Sequence, residues 1–168
     1  MMKILVFSDS HGEVAGMDRA VSAHRDAEYI LHAGDGAGDF RVLRERHSDR
    51  AFANVAGNCD FTFFDSADRP PLQCTLDVAG RRIFLTHGHK FYVKSSAQAL
   101  IEHAEKNDID IAIFGHTHNP LNLWLPDVGK RGLRLVNPGT VSGSGTGRHT
   151  YAIIDIRGGD VLVSIADL

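Results

Sequence analysis

A chain of 168 residues that is 43% hydrophobic and 23% charged has an ordinary globular balance, and it is long enough to bury a core as one domain, residues 1–168, without disulfide staples. The formal net charge of −3 argues against a general basic surface for nucleic acid or membrane. The two cysteines, Cys59 and Cys74, form neither a Cys-x-x-Cys pair nor a disulfide framework, and the first apolar run is too short for a leader peptide or a membrane span, so a cytoplasmic protein is expected.

Residues 3–7 read as a central strand. Residues 13–24 predict a helix, with Val14, Met17, Ala20, Val21 and Ala23 on its buried side. A strand at 29–32, a short exposed helix at 40–47 and a strand at 50–55 follow. The polar stretch 65–71 ends in Pro70-Pro71 and reads as a loop. Residues 72–78 and 82–86 flank Ala79-Gly80 as a hairpin. Ser95 or Ser96 can cap a helix running to Asn107, with Ala97, Leu100, Ile101 and Ala104 on one side. A buried strand at 109–114 precedes short strands at 121–125, 133–136, 151–156 and 161–165. The Gly- and Ser-rich stretch 142–147 reads as a mobile turn, because it lacks the Gly-Lys-Ser/Thr ending of a phosphate loop. A βαβαβ beginning and a mainly antiparallel last third suggest two sheets packed face to face, with helices outside.

Five of the apolar runs end in residues that bind metals. Residues 3–7 lead into Ser8, Asp9 and His11; 29–31 into His32 and Gly34-Asp35; 53–55 into Gly57-Asn58-Cys59-Asp60. Residues 83–85 lead into His87 and His89, and 111–114 into Gly115-His116-Thr117-His118. Strand ends of an open α/β sheet meet on one edge, where such folds bind ligands. The five tips therefore describe one polar site, a metal centre with more than one ion. Asp9 and His11 sit at i and i+2, as do His116 and His118, so on an extended chain each pair would face the same way. Taken singly, Asp9, Asp35 and Asn58 also read as turn residues. The coincidence of seven donors, Asp9, His11, Asp35, Asn58, His87, His116 and His118, carries the metal reading. Asp35, between two glycines, could offer one oxygen to each of two ions.

The other polar residues have plainer readings beside the functional ones. His32 is expected to be a buried histidine with its hydrogen bonds satisfied. Asp60 either orients the Asn58 loop or faces solvent. His89 is either a proton donor or phosphate contact, or a loop histidine. Phe61, Phe63 and Phe64 suit a substrate cleft, a dimer contact or core packing.

The order Asp9-x-His11, Gly34-Asp35, Gly57-Asn58, His87-Gly88 and Gly115-His116-Thr117-His118 resembles the calcineurin-like metallophosphoesterase superfamily. Asn137-Pro138-Gly139-Thr140 and the compact length resemble its small bacterial and archaeal YfcE-like phosphodiesterase branch. The resemblance implies an α/β fold, a four-layer αββα sandwich of two mixed β-sheets flanked by helices. It implies two divalent metal ions and hydrolysis of phosphodiester bonds by attack of a metal-bridging hydroxide. It also implies an allocation: Asp9, His11, Asp35 and His118 on one ion, and Asp35, Asn58, His87 and His116 on the other. Asp35, Asn58, Cys59 and His89 would take part in catalysis. Many members carry a histidine directly after the motif asparagine; here that position is Cys59, and a thiol is a weak donor. Diesters with acidic leaving groups should therefore be preferred.

Manganese is the metal the family suggests, and iron, nickel, cobalt or zinc also suit the mixed nitrogen and carboxylate donors. Two divalent ions with two carboxylates and a hydroxide would keep about one positive charge, which suits a phosphodiester monoanion. Because imidazole binds metal only when neutral, metal loss is expected below about pH 6. The expected partner is a small phosphodiester substrate, with membrane and nucleic acid not expected and a homo-oligomer, dimer or tetramer, left open. A phosphomonoesterase or nuclease with the same metals is one alternative, though Arg41, Arg44, Arg46, Lys90 and Lys94 make scattered patches rather than a groove. Another is a metal-binding protein-interaction scaffold similar to the retromer subunit of this fold.

Overall fold

The computed structural model describes residues 1–60 and 69–168. Its elements in chain order are β1 (Met2–Phe7), α1 (Ala15–Ala23), β2 (Tyr29–His32), α2 (Ala37–Arg46), β3 (Ala51–Asn54), β4 (Gln73–Val78), β5 (Arg81–Thr86), α3 (Gln98–Lys106), β6 (Ile111–Ile113), β7 (Leu121–Leu125), β8 (Leu133–Asn137), β9 (Thr150–Arg157) and β10 (Asp160–Asp167). The expectations for Phe61, Phe63 and Phe64, and for positions 65–68 of the 65–71 loop, lie outside the described residues.

The strands form two five-stranded sheets, in the orders β10-β9-β1-β2-β3 and β4-β5-β6-β8-β7. In the first, β1, β2 and β3 run parallel and β9 and β10 antiparallel. In the second, β5, β6 and β8 run parallel, with β4 and β7 as antiparallel edges. Side chains alternate across a strand, so a strand buried on both faces must be apolar throughout. Ile4 and Val6 of β1 join Ile83, Leu85, Ile111 and Ile113 in the core between the sheets. Leu5 and Phe7 point the other way, against Met17 and Val21 of α1 and Phe40 and Leu43 of α2. Phe84 and Ala112 pack with Leu100 and Ala104 of α3 on the far face. The result is the expected sandwich of two mixed sheets between helical layers.

Three details depart from the sequence reading. The helix expected to be short and exposed at 40–47 begins at Ala37 and buries Ala37, Phe40 and Leu43 along one face; the glycines around its first turn conceal its start. The last third is mainly antiparallel as expected, β7 with β8 and β9 with β10, but its strands divide between the two sheets and one of them pairs in parallel. Leu133, Leu135 and Val136 are buried on both faces, so β8 is a central strand parallel to β6, whereas β9 and β10 return to the first sheet. Ser96 acts one residue before the cap position of α3, its hydroxyl accepting from the Gln98 N–H at 3.1 Å. The Ala79-Gly80 hairpin holds both residues at positive φ, 50° and 75°, the pattern of a two-residue turn matched to strand twist. Among the described residues, no helix is long and apolar enough to cross a membrane.

His32 closes β2 with no solvent exposure. Its Nδ1 accepts from the Gly34 N–H at 3.2 Å, and its Nε2 lies 3.2 Å from the Ser10 hydroxyl, which itself donates to Asp39 at 2.6 Å. Nε2 must therefore carry the hydrogen, and a second proton on Nδ1 would face an N–H. Burial accordingly pushes His32 down to about 4, with nearby Asp60 and Asp9 opposing. Only the unfolded chain takes up this proton between the ordinary value of about 6.5 and 4, so the stability present above pH 6.5 declines as pH falls, by about 3 kcal/mol at pH 4. Urea unfolding of wild type and His32→Gln across pH 7.5 to 4 should show the wild type losing stability more steeply; parallel curves would contradict this.

Candidate metal centre

The polar residues that follow β1, β2, β3, β5 and β6 meet in space. Donor atoms of Asp9, Asp35 and His87 lie within 4.8 Å of one another, as do those of Asp9, His11 and His118, and those of His11, Asp35 and Cys59. The backbone does not bring them together as extended strand tips. Asp9, His11, Asp35, His116 and His118 have φ of 54°, 44°, 57°, 66° and 61°, all left-handed. The expectation that Asp9 and His11, or His116 and His118, face one way because they alternate on a strand is therefore corrected: tight turns aim them. A left-handed non-glycine residue costs about 1 kcal/mol, so five in one site must be held by their surroundings.

They are held by hydrogen bonds between loops. Asp9 N–H donates to Gly34 O at 2.9 Å, His11 N–H to Asp35 O at 3.3 Å, and Gly115 N–H to His87 O at 3.1 Å. Val141 N–H donates to Ser8 O at 3.0 Å, and the Thr140 hydroxyl to Asp9 O at 2.9 Å. Asp60 accepts from four backbone N–H groups, those of Asp35, Gly36, Ala37 and Gly57, at 2.8 to 3.0 Å. Such close approach requires bare backbone at Gly57 and Gly115. A Cβ at the first would strike the Asp35 carboxylate, and one at the second the Ser8 hydroxyl and the Asp9 carboxylate.

Asp9 is fully buried. Its Oδ2 accepts from the Ser8 hydroxyl and from the His116 N–H at 3.1 Å. Its Oδ1 is buried without a hydrogen-bond partner, yet His118 Nε2 lies 3.1 Å away and the Nε2 atoms of His11 and His87 each lie 4.0 Å away. His87 Nδ1 donates to Ala33 O at 2.7 Å, and His118 Nδ1 to Ser144 O at 2.8 Å. Fixing hydrogen on Nδ1 leaves each Nε2 lone pair facing the carboxylates, the arrangement in which histidine binds a metal. Asn58 Oδ1 reaches His87 Nε2 at 3.1 Å, and Asp35 Oδ2 stands 3.4 Å from it. This donor set suits a divalent ion.

The charges are tightly coupled. Burial would raise the Asp35 carboxyl, but the His87 hydrogen bond and charge and the Cys59 N–H outweigh it and hold it well below the ordinary range. Burial alone would lower His87, yet its bond to Asp35 and the charges of Asp9 and Asp35 raise it. His118 is raised chiefly by the Asp9 carboxylate, whose Oδ1 lies 3.1 Å from its Nε2 and would accept from a proton-bearing Nε2. His116 is pushed down to about 4 by burial and by the charges of His87 and Lys94. Burial, then the bond to Asp35, pushes the Cys59 thiol up to about 11, so it stays protonated at neutral pH.

The seven expected donors gather around this site with one difference in kind. The His116 ring lies edge-on to His87, centroids 4.9 Å apart, and His116 belongs to no cluster of the close donor atoms described above. His89 is a neighbour of both, 5.4 Å from His87 and 6.1 Å from His116 between ring centroids, and burial lowers it. Cys59 joins a donor cluster, and its N–H donates to Asp35 Oδ1 at 2.7 Å. Of the two readings of Asp60, the orienting one holds. The role of Ser144 was missed, because nothing in a Gly- and Ser-rich stretch marks which carbonyl will meet a histidine. Arg41 was read as part of a solvated patch; it lines, with His11, Asp35, Asp39 and Cys59, a cleft of about 580 Å³ beside the centre.

Comparison with known proteins identifies the family. Residues 2–159 match the family model of the calcineurin-like phosphoesterase superfamily domain. The chain is 30% identical over 186 residues to the phosphodiesterase YfcE of Escherichia coli K12, covering 99% of this chain and 92% of the relative. The structure of a conserved, predicted phosphoesterase from Streptococcus pneumoniae superposes with a TM-score of 0.79 at 25% identity, covering 99% of this chain and 89% of that one. Vacuolar Protein Sorting 29 from Cryptosporidium parvum shares the fold, with a TM-score of 0.74 at 19% identity and coverage of 99% and 97%. Matched along nearly its whole length, with its polar motifs gathered at one edge of the sandwich, the chain belongs to the calcineurin-like phosphoesterase superfamily.

Proposed function

We propose that the protein is a phosphodiesterase that works through two divalent ions, manganese foremost, held by Asp9, His11, Asp35, Asn58, His87, His116 and His118. The observation that carries this reading is Asp9 Oδ1, a buried carboxylate oxygen with no hydrogen-bond partner, faced by the Nε2 atoms of three histidines. An unpaired buried charge is costly, and a cation removes that cost. Divalent ions bound there would make water acidic enough to supply hydroxide near neutral pH and would polarise phosphoryl oxygens. The YfcE likeness points to diesters. Both cysteines are free thiols, which fits a reducing cytoplasm.

The chain's own groups divide the remaining work. Asp35 belongs to two of the donor clusters, and the Cys59 N–H fixes one of its oxygens. Arg41 lines the cleft beside the centre, and its guanidinium could contact a phosphate oxygen or the ester group away from the reacting bond. His89, lowered by burial, is neutral near pH 7 and can donate an N–H to a phosphoryl oxygen, but it supplies a proton to a leaving group poorly. Cys59, pushed up to about 11, is protonated but a weak donor. Leaving-group protonation is thus the weak step.

The first test is hydrolysis of bis-p-nitrophenyl phosphate by metal-stripped protein, with and without Mn²⁺. Turnover should require metal and fall by about 10³-fold or more in Asp35→Asn. Faster turnover of the p-nitrophenyl monoester would favour a phosphomonoesterase. Folded protein without turnover on any divalent metal would favour the scaffold reading, which at present rests on fold likeness alone.

The account of Cys59 predicts that aryl diesters are cleaved faster than alkyl diesters. Cys59→His should narrow that gap, by up to about 10²-fold; equal rates in the wild type would refute it.

Protons compete with the metal at His87 and His118, which are raised above the ordinary histidine value in the metal-free site, but not at His116, which is neutral down to about 4. Metal affinity should therefore start to fall at or above pH 6.5 as pH decreases, with more than one proton taken up per centre emptied. Calorimetric Mn²⁺ titrations in two buffers of different ionisation enthalpy would count those protons, and affinity unchanged between pH 7.5 and 5.5 would contradict the assignment.

A further inference from the structure

The opposite edge of the sandwich carries a second concavity of about 470 Å³, at the starts of the parallel strands whose ends build the metal centre. Arg81 opens β5, Arg134 lies near the start of β8 just after Arg131, and Arg157 closes β9. All four arginines line the cavity, against only two carboxylates, those of Asp110 and Asp160. Four guanidiniums and two carboxylates leave a positive pocket on a chain whose net charge is −3.

The pairing inside it is incomplete. Asp110 meets Arg81 and Arg131 only at 3.5 Å each. Arg134 Nη1 donates to Asn122 Oδ1 at 3.2 Å, and its buried Nε has no hydrogen-bond partner. Arg157 is exposed. The Arg81 guanidinium passes close to Gly159 in the β9–β10 turn, 3.5 Å from where a Cβ would stand, so the pocket is built from both sheets.

Its wall is aromatic. Trp124, directly across from Arg134 in the β7–β8 pairing, has the Arg134 guanidinium 5.0 Å from its ring centroid. The indole rests on Gly132, where any Cβ would collide with the ring, yet Trp124 remains 44% exposed. Leu162, also lining the pocket, is 62% exposed. Arginine forks recognise phosphate oxygens, and an exposed indole offers a face to a planar base.

We propose that this pocket binds a nucleoside 5′-phosphate, with the base against Trp124 and Leu162 and the phosphates on Arg131, Arg157 and Arg81. The site is separate from the metal centre and needs no ion. An acidic peptide is the competing occupant, but it would make no use of the exposed indole.

Trp124 is the one tryptophan of the chain, so its fluorescence reports this pocket directly. Full-length protein is titrated with ADP, adenosine, inorganic phosphate and a poly-glutamate peptide, first in EDTA and then with Mn²⁺. ADP should change the emission saturably in both conditions and more tightly than adenosine or phosphate alone. Arg157→Ala, with an unchanged circular dichroism spectrum, should weaken ADP by about tenfold, the loss of one charge-assisted contact, and leave diester turnover unchanged. Asp35→Asn should bind ADP as the wild type does. The proposal is overturned if ADP gives no response at millimolar concentration, if Arg157→Ala binds it equally well, if Asp35→Asn abolishes binding, or if the peptide or inorganic phosphate binds as tightly as ADP.

Discussion

The candidate metal centre depends on one carboxylate that acts on backbone rather than on any of the candidate donor side chains. Asp60 gathers four backbone N–H groups, three from the turn after β2 and one from the turn after β3. Two of the donors, Gly36 and Ala37, are at the start of α2, so Asp60 also satisfies helix-terminal N–H groups that no local side chain caps. It fixes the backbone of Asp35 and, through Gly57, the position of Asn58. Two strands that are neighbours in the sheet are thereby joined a second time, beyond their ends, where sheet hydrogen bonds no longer act.

That anchoring makes the strained backbone affordable. Five candidate donors occupy left-handed conformations that side chains disfavour. Crossing hydrogen bonds with Gly34, Asp35, His87, Thr140 and Val141 hold Asp9 and His11 and the residues just before Asp9 and His116. The consequence is chemical. Two carboxylates and the Nε2 atoms of His11, His87 and His118 are held close together before any cation arrives. Asp9 Oδ1 lies buried inside that group without a hydrogen-bond partner, which is the observation behind the proposed cation. In a relaxed loop the same residues would turn to water, and the ordering entropy would be charged to metal binding instead.

Much of this was legible in the chain, for identifiable reasons. The central strands were readable because burial on both faces demands unbroken apolar runs, as at Ile4 to Phe7 and Ile111 to Ile113. The candidate donors stood out because several tips carried the same rare residue types. What failed was local geometry. Asp9-x-His11 looks like an alternating strand tip, but its φ values are decided by Gly34 and Asp35, which bond to it from another loop. The start of α2 was hidden because its N–H groups are satisfied by Asp60, over twenty residues away, rather than by an N-cap beside it. Ser144 could not be singled out, since its contribution to His118 is a carbonyl and any residue supplies one.

The two edges of the sandwich differ because the parallel strands have direction. At the ends of β1, β2, β5 and β6, residues that leave the strands in tight turns bring carboxylates and imidazoles together, a donor set that suits cations. At the starts of β5 and β8 and beside the β9–β10 turn, the exposed edge is lined by guanidiniums and an indole, which suits anions. Opposite potentials at opposite edges keep a cationic ligand from settling in the arginine pocket and an anion from settling at an ion-free metal centre. Only a metal-loaded centre, its sign inverted by the ions, becomes a site for phosphate. On the proposed reading, phosphate binding at the metal edge would be conditional on loading, whereas at the arginine edge it would need no ion, and it is the length of the strands between the two edges, with solvent screening around them, that separates the two fields.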